Sequence, residues 1–154
     1  MRRVDREITD KKEIESILER GFALHLGLVD GIRPYVVPLN YAYCDGIIYV
    51  HCASQGKKLD LLNANNNVYF EVDITKSKIE MEGDQPCDWG TAFESVMGFG
   101  TAEILEDVNE KINGLNAIVG RYSPGKFKFP ESEVKATTVI KIKIEEMTGK
   151  KAHC

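Results

Sequence analysis

Apolar and polar positions alternate with two distinct periods along this chain, and the switches between them mark its elements. Asp10 stands where a helix cap is expected, Glu13 occupies the reciprocal capping-box position, and Ile14, Ile17 and Leu18 form one apolar stripe, so a helix is predicted that Gly21 ends. From Phe22 to Val29 the period becomes two, which predicts a strand, and Asp30-Gly31 is a hairpin signal. Tyr35 to Tyr43 predicts a second strand, interrupted by Pro38; because proline cannot donate to a ladder, this position marks a bulge, a bend or an edge. Asp45-Gly46 turns the chain into a third strand, Ile47 to Cys52, with His51 and Cys52 on opposite faces.

Ser54 to Ala64 predicts a helix that Asn65-Asn66-Asn67 stops, and Val68 to Ile74 a fourth strand. Thr75 to Gln85 is polar and weakly patterned, so an exposed loop is expected. Ala92 to Leu105 predicts a long strand bent at Gly98 or Gly100. Asp107 caps a further helix with Glu110 as its partner and Ile112, Leu115, Ile118 and Val119 as its buried stripe. Ser123 to Pro130 reads as a loop, Thr137 to Met147 as a half-buried strand, and Thr148 to Cys154 as a basic tail. Six strands without regular βαβ alternation predict a mainly β, mostly antiparallel barrel with two or three peripheral helices, in one domain over residues 1–154.

Composition narrows the function classes. A chain of 154 residues with 43% apolar residues can bury a core without disulfides or a structural metal. A net charge of −4 offers no basic face for nucleic acid. Met1-Arg2-Arg3 leads into alternating charge, so neither a signal peptide nor a membrane span is expected, and the location expected is cytoplasmic. Cys44, Cys52, Cys87 and Cys154 lack metal or disulfide spacing, His25 is remote from His51 in sequence, and Glu71 with Asp73 reads as ordinary surface acids, so no metal site is expected.

Few residues carry chemistry. Gly56-Lys57-Lys58 opens a helix, where free N–H groups, the positive dipole end and two ammonium groups suit a phosphate, although lysine pairs also decorate ordinary helix ends. His51 lies one strand end before it, and a barrel histidine bonded to backbone explains it equally well. Trp89 could stack on a planar ligand or pack at an interface, and Ser95 offers a hydroxyl on the long strand. No GxSxG, HExxH or P-loop pattern is present, so chemistry carried by a bound cofactor fits better than side-chain acid–base catalysis.

Several blocks in order, MRRVDREITDKKEIESIL, RPYVVPLNYAY, DGIIYVHCASQGKKLDLL, PCDWGTAFESVMGFGTAEIL and VIKIKIEEMTGK, resemble the pyridoxamine 5′-phosphate oxidase-related flavoproteins and, among them, the short nitroimidazole-resistance (NimA-like) branch. The resemblance implies a split β-barrel that forms a homodimer and binds FMN at the subunit interface. It sets the isoalloxazine against Val37, Pro38, Leu39 and Asn40, and the phosphate near His51, Cys52, Ala53, Lys57 and Lys58, with Ser95 and Val96 as further contributors and Trp89 near the ligand or the dimer seam. It also implies an active-site role for His51. The expected activity is FMN-dependent reduction of nitroaromatic or similar small acceptors; the alternative is a non-catalytic flavin- or haem-binding protein for storage, sensing or sequestration. The tail does not supply the substrate residues of the longer pyridoxamine phosphate oxidases, so that vitamin is not the expected substrate.

Overall fold

The computed structural model describes residues 3–81, 84–125 and 127–152, with side-chain surroundings left out for 76–81. A helical turn precedes β1 (Glu7–Ile8), α1 (Lys11–Arg20), β2 (Leu24–Asp30), β3 (Arg33–Leu39), β4 (Tyr41–Cys44) and β5 (Ile47–Ala53). Then come α2 (Lys57–Ala64), β6 (Asn67–Met81), β7 (Trp89–Ile104), α3 (Val108–Tyr122), α4 (Glu131–Ala136) and β8 (Thr137–Ala152). One antiparallel sheet runs in the order β3-β2-β6-β7-β8-β5-β4, with β1 added on β8.

Its two end strands, β3 and β4, are separated in sequence by Asn40 alone. A sheet whose ends are chain neighbours must roll up, yet β3 pairs with β2 and β4 with β5, so the roll stays open along one seam. This is a split barrel. Inward residues of alternating strands fill it: Leu24, Leu26, Phe70, Val72, Val96, Ile48, Val50, Ile140 and Ile142 are fully buried. Ile14, Ile17 and Leu18 of α1 join that core, as their spacing predicts. A smaller cluster of Leu105, Leu115, Val134 and Val139 holds α3 and α4 against the outside of the barrel.

The caps follow the sequence. Asp10 accepts from Lys12 N at 3.0 Å, and Asp107 from Asn109 N and Glu110 N at 2.9 Å. Glu13 takes the Lys151 ammonium at 2.6 Å, tying α1 to the last strand.

The fold class is the one expected, but with eight strands among the described residues instead of six: β1, which had no sequence signal at two residues, pairs with β8, and four further differences follow. The strand read from Tyr35 to Tyr43 is two strands, because the chain changes partners at Asn40. The loop expected over Thr75 to Gln85 is corrected as far as Met81: β6 continues to there, paired with β7 as far as Met81↔Trp89 after a register shift between Thr75 and Ile79, while positions 82 and 83 lie outside the described residues. The tail read from Thr148 is likewise strand to Ala152, with Lys150 opposite Ser95 and Lys151 opposite Glu94. Pairing with a remote strand, which local periodicity does not record, is what makes both segments strand. The fourth difference is α4, six residues too short to carry a helical period. Gly98 and Gly100 do mark the bend in β7: a Cβ on Gly100 would lie 2.1 Å from Lys143 O, where the ladder with β8 shifts register.

Candidate functional site

The seam of the barrel positions the candidate site. Tyr41 pairs with Val50, so continuing that register one step brings Asn40 level with His51, and here the chain passes from β3, paired with β2, to β4, paired with β5. Val37-Pro38-Leu39-Asn40 thus forms the lip of an opening, at the edge of the sheet, with backbone groups that no neighbouring strand takes up on that side. Pro38, in register with His25, is tolerated because an edge strand need not donate from every residue. Val37 and Leu39 pack against the core while Pro38 and Asn40 are exposed.

Three residues after β5 the chain enters α2. Gly56 has φ +135°, a region that disfavours side chains, and a Cβ there would meet nothing within 4 Å, so the backbone angle and not crowding demands glycine. Gly56 O accepts from Leu59 N at 2.9 Å and Asp60 N at 3.3 Å, and no side chain caps the helix. The first N–H groups of α2 therefore remain for an anion. At this helix start lies a cavity of about 270 Å³ lined by Tyr35, Cys52, Ala53, Gln55, Gly56, Lys57, Lys58 and Leu59.

The two lysines differ. Lys57 Nζ lies 2.5 Å from Asp30 Oδ2 and 5.4 Å from the centre of the Tyr35 ring; the Asp30 carboxylate raises its pKa. Lys58 instead acts on Cys52 and His51. Burial raises the Cys52 thiol, and the Lys58 ammonium, which hydrogen-bonds it, draws it back only in part, so Cys52 is a thiol and not a thiolate at neutral pH. Desolvation first, and then the Lys58 charge, lower the His51 pKa below 6.5, so the imidazole is neutral at pH 7.

His51 faces away from the lysine cavity, toward a second one of about 220 Å³ walled by Leu115, Ile118, Val119, Phe129, Glu133, Val134 and Thr137. A wider depression, about 1240 Å³, lies elsewhere, between the end of α2 and the β7–β8 ladder, and none of the candidate site residues lines it.

Of the residues that the resemblance implies, Cys52, Ala53, Lys57 and Lys58 line one cavity, His51 lines the second, and Val37 to Asn40 lie along the free edge of β3 and its end, outside both linings. The other three line neither cavity within one chain. Val96 is fully buried in the core and Ser95 is 7% exposed between β6 and β8. Trp89 is opposite Met81, ten residues beyond Glu71 along β6, roughly 30 Å at the rise of a strand. Sequence reasoning missed Asp30, Tyr35 and Gln55 at the seam, and Phe129 and Glu133 beside His51; only Asp30 carried a signal, as part of a turn. It also missed that His25, Glu71 and Asp73, distant or unremarkable in sequence, come together on the outer face.

A family profile described as pyridoxamine 5′-phosphate oxidase matches residues 10–151. The chain belongs to the pyridoxamine 5′-phosphate oxidase family. Within it, a proposed 5-nitroimidazole antibiotic resistance protein from Bacteroides thetaiotaomicron is 34% identical, with a TM-score of 0.83, over 94% of this chain and 85% of that one. An FAD-binding protein from Mesorhizobium loti is 25% identical, with a TM-score of 0.71, over 96% of this chain and 97% of that one. A flavocytochrome from Azotobacter vinelandii shares the fold, with a TM-score of 0.87 at 22% identity, over 100% of this chain and 72% of that one. Among curated proteins none matches. Membership of the pyridoxamine 5′-phosphate oxidase family agrees with a split barrel and with a flavin-binding, oxidoreductase-type protein, and the 34% identical structure supports the nitroimidazole-resistance branch within it. No helix among the described residues is long and apolar enough to cross a membrane.

Proposed function

We propose that this protein is an FMN-dependent oxidoreductase that works as a homodimer and reduces small acceptors of the nitroaromatic type. The observation that supports the reading is the cavity at the start of α2, where an uncapped helix start and two lysines stand with Tyr35 of the edge strand β3 on the wall. The cavity at α2 suits a phosphate, and an edge strand with unpaired groups suits the polar rim of an isoalloxazine. FMN, when bound, supplies the electron transfer.

The chain's own residues would do the rest. The Lys58 ammonium and the first amides of α2 hold the phosphate, with Lys57 kept near it by Asp30. Cys52 and Ala53 line the same cavity. Neutral His51 can give one hydrogen bond to an acceptor, and the cavity beside it, walled mostly by aliphatic side chains and Phe129, favours a small uncharged molecule.

A second copy fits the outer face of β2, β3, β6 and β7. Val29, Val36, Tyr69, Met97 and Phe99 are 41–60% exposed there, and a shallow apolar depression of about 440 Å³ runs among Gly27, Val36, Tyr69 and Phe99. A contiguous apolar surface of that kind is unusual on a monomer. A partner would also supply Trp89 from outside the chain that holds the seam.

The test is a flavin spectrum of purified protein, an FMN titration, and anaerobic reduction followed by reoxidation with a 5-nitroimidazole. Saturable FMN binding with reoxidation is expected. Absence of FMN binding overturns the cofactor assignment, whereas binding without reoxidation by any acceptor leaves the storage or sensing alternative standing.

A further inference from the structure

A single hydroxyl bridges the split in the barrel. β4 is the last strand of the sheet, and the N–H of its first residue, Tyr41, donates to the Tyr122 hydroxyl at 3.2 Å. That hydroxyl in turn donates to Phe22 O at 2.8 Å, two residues before β2 begins. It accepts once and donates once, and so stands where a closed barrel would carry ladder bonds between its end strands. Tyr122 is the last residue of α3, and Arg121 beside it holds Tyr41 by its side chain: the guanidinium lies 4.0 Å from the centre of the Tyr41 ring and donates to the Tyr41 hydroxyl at 3.1 Å. The Phe22 ring meets the Tyr122 ring edge to face at 5.8 Å.

Two parts of the candidate site join at this contact. Asn40 belongs to neither ladder, since β3 ends at Leu39 and β4 starts at Tyr41, so the bond on the Tyr41 amide fixes where the lip of Val37 to Asn40 ends. One turn earlier on α3, Ile118 and Val119 wall the cavity beside His51. A helix is stiff over one turn, and α3 therefore holds the lip and the cavity wall in one frame.

We infer that Tyr122 is a positioning residue of the flavin reaction, its hydroxyl setting the end of the lip relative to the His51 cavity. The inference rests on the reading that the lip takes the flavin ring and that cavity the acceptor. Tyr122 lines neither cavity and acts through the Tyr41 amide. The ring alone cannot replace it, because phenylalanine would leave Tyr41 N–H and Phe22 O without this partner. Transfer between two bound molecules is steep in their placement, about a hundredfold for a displacement of ~1 Å, so the hydroxyl acts on rate more than on affinity.

The experiment uses the full-length chain as Tyr122→Phe, with Phe22→Leu as the control that removes the ring contact and leaves both hydrogen bonds. In the cofactor-free protein, hydrogen exchange over residues 37–43 should be about fivefold faster in Tyr122→Phe, the scale of one lost hydrogen bond, and unchanged in Phe22→Leu. With FMN at saturation, Tyr122→Phe should alter the visible circular dichroism of the flavin and slow its reoxidation by a 5-nitroimidazole at least about tenfold, while FMN affinity changes by about fivefold or less. Phe22→Leu should lower the thermal midpoint and keep native dichroism and reoxidation. Native exchange in Tyr122→Phe, or faster exchange with native dichroism and reoxidation, overturns the inference and leaves the flavin reading standing. A native chain that binds no FMN, or that no acceptor reoxidises, overturns both.

Discussion

Lys57 gives its ammonium to Asp30 at 2.5 Å, and so of the two lysines that open α2 only Lys58 is left to face Cys52 and His51. The pair that looks equivalent in sequence is unequal in the fold. Lys58→Ala is therefore expected to weaken FMN binding about tenfold to a hundredfold, the range for a lost charge-assisted hydrogen bond. Lys57→Ala should have a markedly smaller effect. Fluorescence titrations of FMN with both variants make the comparison, and equal losses would contradict the division of roles.

His51 should titrate below 6.5 in the cofactor-free protein, because burial and the Lys58 charge both favour the neutral ring. A depressed folded-state value means that the neutral form is favoured by folding: the contribution is present above pH 6.5 and fades as pH falls through the folded value. Proton NMR of the imidazole reads this directly. Lys58→Ala should move the value upward, and a His51 that titrates at or above 6.5 would remove the reason for treating it as a neutral hydrogen-bonding group.

Tyr41 links the barrel to two helices. Its buried hydroxyl donates to Leu18 O at 2.6 Å and accepts from Arg121 Nη2 at 3.1 Å, while the Arg121 guanidinium also donates to Leu18 O and Gly21 O at the end of α1. Burial pushes the Tyr41 phenol up to about 12. Because the raised value belongs to the folded state, the stabilisation is complete below pH 10 and is lost as pH rises through about 12. Alkaline denaturation should begin within that window. Tyr41→Phe should cost about 1–2 kcal/mol at pH 7 and flatten the alkaline loss, as measured by urea unfolding at both pH values.

Two glycines should respond to alanine with opposite signs. Gly100→Ala would set a Cβ 2.1 Å from Lys143 O, a backbone atom that cannot yield cheaply, and should destabilise by roughly 1–3 kcal/mol. Gly120, within α3, meets nothing within 4 Å, and its replacement by alanine should stabilise by about 0.4–1 kcal/mol. Thermal unfolding of both variants is sufficient, and a neutral Gly100→Ala would mean that the bend in β7 is looser than its geometry.

Tyr69 and Val36 are 52% and 60% exposed on the face assigned to a second copy. Sedimentation of the native chain should give twice the 17.3 kDa chain mass, and Tyr69→Asp or Val36→Asp should return it to the monomer and release FMN with it. A native monomer at micromolar concentration would remove the interface and, with it, the delivery of Trp89 from a partner.

The sequence alone determined the parts of this protein whose cause is local. Asp10 and Asp107 cap their helices where a carboxylate precedes an apolar stripe, and Asp30-Gly31 and Asp45-Gly46 reverse the chain where positive φ is needed at Gly31 and Gly46. The block-wise resemblance likewise drew attention to the stretch from Val37 to Lys58, within which Cys52, Ala53, Lys57 and Lys58 share one cavity. What depends on pairing between remote strands was decided only by the tertiary structure. Period two does not say which strand is the partner, so the change of partner at Asn40 and the polar continuations of β6 and β8 left no mark in the pattern. For the same reason Lys57 and Lys58 looked alike until Asp30 was brought beside one of them, and His25 looked solitary until the β2–β6 ladder set it 3.0 Å from Glu71.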